Sequence, residues 1–293
     1  MHSYLRAVGF SNIVSRVDLD KLIGIVMDQP TAKYLTKTSE KTVLTEISKD
    51  FSEHMGITIR GEYDEKGFFY LEHYFPYFKG SQVTAKEDIV VNKRVDNEAY
   101  TGMCDDLRLG VSLIFYLQNV VDYLDHNTMK DGTSRVVPVV LAGLSIDGKI
   151  LFGIDINEGQ VKNKAADSKK RNKLISEARQ GNQEAIDSLT IDDIDLYAII
   201  SRRAKYEDIY SIVDSTFIPY GSESDNYSII GTILDWKLVK NVYTNEEIYN
   251  FLINCNDMIY NVCINKTDLQ GEPMIGRRFK GNIWMQGSIN FAD

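Results

Sequence analysis

The segment that most constrains this chain is its last strand-like stretch, residues 279–291. Phe279, Gly281, Ile283, Met285, Gly287, Ile289 and Phe291 alternate with Lys280, Asn282, Trp284, Gln286, Ser288 and Asn290. A period of two held over so many residues demands a β-strand with one face in a core. Strands usually run about 5–6 residues, so a strand this long must curve. The glycines on its core face predict a barrel or a strongly bent sheet. The other face is polar except for Trp284. A tryptophan among Lys, Asn and Gln is a common recognition surface for a protein partner, a sugar or a stacked base. Arg277 and Arg278 precede it and would add an anion contact. The expected binding set is therefore Arg277, Arg278, Lys280, Asn282, Trp284 and Gln286. The competing expectation is that the connector helices or the N-terminal half cover this face.

The rest of the chain can be laid out from periodicity and turn chemistry. Ser15 and Asp18 form a capping box before Leu19, Leu22, Ile23 and Val26, which predicts a helix ending before Pro30. Strand-like alternation follows around Val43, Ile47 and Phe51, then over 57–63. Asp64-Glu65-Lys66-Gly67 turns the chain into an aromatic strand, 68–75, that needs cover on both faces. Residues 107–117 read as a strand running into a short helix at 120–124. Asp147-Gly148 predicts a tight hairpin between 135–146 and 149–154, because a type I′ turn wants positive φ at both central positions.

Residues 162–179 hold seven Lys/Arg and two acids, a helix ending near Gly181, while 182–214 hold eight acids and three bases. A second capping box, Thr190 with Asp193, predicts a helix through Leu196, Ile199 and Ile200. Beyond 206, one hairpin can be registered residue by residue. With its turn at Asn256-Asp257, Cys255 faces Met258, Ile253 faces Tyr260, Phe251 faces Val262 and Tyr249 faces Ile264, all on one face. Cys263 then points to the opposite side from Cys255, which excludes a disulfide between them. A helix starting at Thr244–Glu247 is the rival.

Composition limits function. The chain has 293 residues with 33 Lys+Arg against 42 Asp+Glu, a net charge of −9. That balance argues against nucleic acid as a partner. The start has no apolar leader-like region, and no apolar run approaches the roughly 20 residues a spanning helix needs. Three cysteines, Cys104, Cys255 and Cys263, fit a reducing compartment. The expectation is a soluble cytoplasmic protein away from the membrane.

Catalytic motifs are missing: there is no GxGxxG, HExxH, CxxC, GxSxG or SxxK. Residues 271–278 approach a P-loop, but Arg277 and Arg278 stand where Lys and Ser/Thr are required. His73 beside Glu72 reads as an ordinary part-buried histidine, and Asp105-Asp106 with Arg108 as a surface ion pair or turn. The Asp192, Asp193, Asp195 cluster suits a helix start. Cys104 and Cys255 read as plain buried thiols. No cofactor and no metal site is implied.

The segments HSYLRAVGFS, SRR with EDIYSIVDSTFIPYG, and CINKTDLQGEPMIGRRFKGNIWMQG resemble a family of uncharacterised proteins from anaerobic Gram-positive bacteria, a domain of unknown function. The resemblance covers essentially the whole chain. It implies a bacterial, cytoplasmic origin and carries over no functional residue.

The resulting expectation is an α+β protein with two antiparallel β-rich halves, 1–160 and 206–293, joined by a helical connector, 161–205. The C-terminal half should be a small barrel or strongly curved sheet. The function expected first is non-enzymatic binding of a protein or small molecule through the polar face around Trp284. An enzyme with a site in the cleft between the halves, using His73, Glu72, Asp105 and Asp106, is the alternative. Single-stranded nucleic-acid binding on the barrel face comes third, supported by stacking and opposed by the charge.

Overall fold

The computed structural model describes residues 2–37, 42–94, 99–106, 111–128, 136–154, 158–222 and 224–291. A 3-10 turn, Ser3–Val8, leads into α1 (Arg16–Asp28), whose N-terminus is capped as expected: Ser15 accepts from the Asp18 amide. Four strands follow, β1 (Ala32–Lys37), β2 (Val43–Ser52), β3 (Met55–Tyr63) and β4 (Phe69–Phe78). They pair in chain order as an antiparallel meander. Then come β5 (Ala85–Asp88), β6 (Val90–Lys93), β7 (Tyr100–Asp106), β8 (Val111–Leu117), α2 (Val120–Thr128) and β9 (Val136–Leu151). The strand-to-helix step at 117–120 is as read from the sequence; Leu107, Arg108, Leu109 and Arg135 lie outside the described residues. The helices α3 (Glu158–Arg179), α4 (Gln183–Arg203) and the single turn α5 (Ile209–Ile212) lead to β10 (Thr216–Pro219), β11 (Asn226–Lys240), β12 (Glu247–Cys255), β13 (Met258–Asn265), β14 (Leu269–Gln270) and β15 (Arg278–Ile289).

The second sheet closes on itself. β11 pairs β12, β12 pairs β13, β13 runs parallel to β9, β9 pairs β15 along its length, and β15 returns to β11. These five strands form a ring; β8, β7 and β6 extend it from β15. The fold is α+β, and its barrel is the curved element that the glycine pattern of β15 called for. One wall, β9, comes from before the connector helices, so both ends of the chain build the barrel.

Two cores result. The barrel interior holds Phe251, Ile253, Cys255, Met258, Tyr260, Val262, Ile264, Phe279, Ile283, Met285 and Ile289. The register around the Asn256-Asp257 turn is the one derived from the sequence, with φ of 51° and 61° at the two turn residues. Cys263 falls on the other side, in the second core between the meander and the barrel's outer wall. That core collects Ile47, Ile57, Ile59 and Phe75 from the meander, Leu22 and Val26 from α1, and Leu144, Tyr116 and Trp284 from the barrel side. β9 is apolar on both faces because each face meets a different core: Val139 and Leu141 the first, Ala142 and Leu144 the second.

Three expectations fail, each for a packing reason. Asp147-Gly148 is no turn: β9 runs straight through it, and Gly148 is absent from the positive-φ residues. The glycine is needed for space, since a Cβ there would sit 2.5 Å from the Phe279 ring. The chain bends instead at a bulge opposite Asn282 and Ile283. Thr190-Asp193 starts no helix, because α4 is already capped upstream by Asn182; the Thr190 hydroxyl bonds back to the Ile186 carbonyl. The aspartates 192, 193 and 195 are therefore mid-helix and exposed. Finally, β4 is covered only in its second half, with Phe75 and Phe78 buried and Tyr70 58% exposed.

Candidate functional site

The polar face of β15 has two fates along its length. At the C-terminal end it is sealed. Trp284 is only 6% exposed, with the rings of His2, Tyr4 and Tyr116 at 4.7, 5.5 and 5.0 Å. Its indole N–H donates to Asp225 at 3.1 Å, and Asp225 also receives Arg94 at 2.6 Å. Gln286 is fully buried; its amide donates to the Pro76 carbonyl, and its oxygen accepts from Phe78 N–H and from Gln118. The open face expected at Trp284 and Gln286 is thus closed by the N-terminal turn and the meander. Covering a tryptophan removes roughly 200 Å² from water, about 5 kcal/mol at 25 cal/mol/Å², which a solvated polar face cannot match.

Charge is buried beside this seal. Register places Arg60 opposite Glu46, and the guanidinium donates to the carboxylate at 2.8 and 2.6 Å. The other carboxylate oxygen takes the Val121 amide at the start of α2. Burial raises the Glu46 carboxyl above the usual range, opposed by Arg60. Such a pair joins neighbouring strands of the meander and is costly to break from one side. Burial pushes His2 and His73 down to about 4, helped for His73 by the Arg60 charge. The residues expected for an inter-half active site are not brought together. His73 faces Tyr116 at 6.1 Å, Glu72 is exposed at a bulge of β4, and Asp105 pairs with Ser112 of β8. Cys255 is a buried thiol raised to about 12.

The N-terminal end of β15 is open and cationic. Lys280 stands directly opposite Lys149 of β9. Both ammonium groups lie over one ring, Tyr210 of α5, at 4.2 and 5.1 Å from its centroid. Lys280 also donates to the Tyr210 hydroxyl and, as the largest influence, draws that hydroxyl below its usual range. Arg278 is 3% exposed, so it is not presented to a partner as expected. Its guanidinium fixes the surrounding loop by donating to the carbonyls of Phe152, Val213 and Tyr210 at 2.9, 2.6 and 2.5 Å. Burial alone lowers its pKa; among the described residues no carboxylate sits within ion-pair distance to offset it. Arg277 lies 5.6 Å over the ring of Phe152, which is 80% exposed.

Two recesses flank this group. One, of about 540 Å³, is lined by Lys149, Phe152, Tyr210 and Arg278. The other, of about 370 Å³, is lined by Lys149, Lys280, Asn282 and Gln270. Three acids reach the rims, and two are already engaged: Asp268 by Arg6 and Asp208 by the Tyr210 amide. Asp147 accepts only a long contact from Asn282, 3.5 Å. Like charges directly opposite on neighbouring strands are destabilising. An anion between them reverses that sign.

The structure thus gathers Arg277, Arg278, Lys280 and Asn282 at the open end and sets Trp284 and Gln286 apart. Sequence reasoning missed Lys149, Tyr210 and Phe152. Lys149 was assigned to a hairpin that does not exist, and nothing local in the chain announces a cross-strand neighbour more than a hundred residues away. No curated protein and no solved structure matches the chain. The pattern of one family, described as a domain of unknown function with an E. rectale gene description, matches residues 5–287. With nearly its whole length matched, the chain belongs to that family, DUF3881.

Proposed function

We propose that this protein is a non-enzymatic binding protein whose site is the cationic end of β15, where the two recesses meet at Lys149. Its ligand is a small anion, phosphate- or carboxylate-bearing, attached to a planar or apolar group. One observation carries the reading: Lys149 and Lys280 face each other across two strands with no bridging carboxylate among the described residues, both lying on Tyr210. The buried Arg278 adds positive charge behind them, and the exposed Phe152 offers a surface for the ligand's planar part. In a chain of net charge −9 such a concentration of cations has a local purpose.

The protein's proposed home is the bacterial cytoplasm, on the resemblance and on a small, odd number of cysteines. No helix among the described residues is long and apolar enough to cross a membrane.

The test is calorimetric titration with phenyl phosphate, inorganic phosphate and a single-stranded oligonucleotide. Phenyl phosphate should bind more tightly than phosphate. The double variant Lys149→Gln/Lys280→Gln should weaken it about tenfold or more, the 1.4 kcal/mol scale of a charge-assisted hydrogen bond, without lowering the melting temperature. Binding of the oligonucleotide alone, with a steep salt dependence, would transfer the site to the nucleic-acid reading. No heat from any of the three would remove it.

A further inference from the structure

A third recess lies elsewhere, where the meander meets the barrel. It has about 450 Å³ of space and is walled by β1 to β4, the loop 79–83, the start of α2 and the C-terminal end of β15. That volume lies in the range of small-molecule sites, about 300–1,000 Å³. Its chemistry differs from that of the cationic end of β15. Glu46 reaches it, but both its oxygens are committed to Arg60 and the Val121 amide. The remaining charges are one acid, Asp122, and one ammonium, Lys79, which leans over the Tyr77 ring at 5.2 Å. They balance, so no net charge selects the occupant.

Most of the other lining side chains are hydroxyls, amides and tyrosines, with Val83 and Val140 as the apolar members. Gln118 lines the space and spends its amide N–H groups on the Phe78 carbonyl and on Gln286, at 2.8 and 2.7 Å. Among the described residues, the side chains of Gln82, Ser288 and Asn290 have no protein partner and border the same space. Amides and hydroxyls offer donors and acceptors side by side. Tyr34, 46% exposed, adds an aromatic face, while Tyr77 borders the space but is buried under Lys79.

We infer that this cleft is a binding site for an uncharged polyhydroxylated ring compound, a mono- or disaccharide. A sugar hydroxyl is both donor and acceptor, which matches the mixed amide and hydroxyl lining. The carbon face of a sugar ring packs on tyrosine, and a neutral ligand suits a cleft whose charges cancel. An apolar ligand would leave the amides unpaired at a cost, and an anion would meet Asp122.

The experiment is titration of the full chain with glucose, galactose, maltose and cellobiose, followed by calorimetry or ligand-observed NMR, up to about 50 mM, where even millimolar affinity saturates. At least one sugar should bind saturably. Gln82→Leu/Asn290→Leu, at two exposed positions, should weaken it at least about tenfold with an unchanged melting temperature. Lys149→Gln/Lys280→Gln should leave it untouched, because the cationic end of β15 is a separate site. Absence of saturable binding by all four sugars overturns the inference. So does binding that survives the Gln82→Leu/Asn290→Leu change, or binding that phenyl phosphate displaces.

Discussion

The two ends of β15 carry the same alternation and opposite fates. At the C-terminal end, Trp284 and Gln286 point outward from the barrel into a layer of protein and become core. At the N-terminal end, Lys280 and Asn282 point outward into recesses and remain reachable. The strand does not decide this. What differs is the neighbour: the meander and the N-terminal turn press on one end, while only the short α5 turn and the loop tied by Arg278 stand near the other. A polar stripe on a strand is therefore not one surface. Its apolar interruption marks where cover falls, and its unpaired cations mark where cover is missing.

Breaking the sealed end should have the largest effect. Trp284→Ala empties a site packed by three aromatic rings and removes one of the donors to Asp225, so a loss of about 3–5 kcal/mol is expected, read as a drop in urea midpoint. A midpoint within error of wild type would refute the sealed end. Acid probes the same layer without mutation. His2 and His73 titrate near 4 in the fold against an ordinary 6.5. Between those values the unfolded chain binds more protons, so stability is complete above pH 6.5 and declines as pH falls toward 4. The loss is on the order of 3 kcal/mol for His2 and less for the more accessible His73. Urea titrations at pH 7 and pH 5 should show it, and His73→Gln should flatten the slope.

Gly148→Ala tests the bend between the two ends. The new methyl group meets the Phe279 ring, at an expected cost of about 1–3 kcal/mol; combining it with Phe279→Leu should cost less than the sum of the two single changes, whereas a strained positive-φ turn would give no such coupling. The smallest effect on stability belongs to the open end. Lys280→Gln should shift stability by no more than about 0.5 kcal/mol, upward if anything because it relieves the repulsion from Lys149. Anion binding in the calorimeter should nonetheless weaken. A clear destabilisation would mean that Lys280 is held as structure and that the two ends are alike.

Much of the architecture was legible from local signals. The α1 cap, the β3–β4 turn and the β12–β13 register all rest on contacts between residues close in the chain, where short-range sterics and alternation decide. Gly148 was misread because a glycine that permits positive φ and a glycine that makes room for a ring look identical in sequence. The ring distinguishing them, Phe279, is 131 residues away. The candidate site was half legible for the same reason. Arg277, Arg278, Lys280 and Asn282 sit together in the chain, whereas Lys149 joins them through the β9–β15 pairing and Tyr210 through the Arg278 bonds to its loop and its own contacts with Lys280.

By itself, the sequence determined that β15 is long, bent and apolar on its inner face, that the Asn256-Asp257 hairpin has one possible register, and that this chain belongs with DUF3881. Backbone periodicity and turn sterics suffice for the first two. Only the tertiary structure decided which outward residues would see water. That choice depends on how much apolar area a distant layer can bury, and the meander buries Trp284 while leaving Lys280 beside Lys149 in the open.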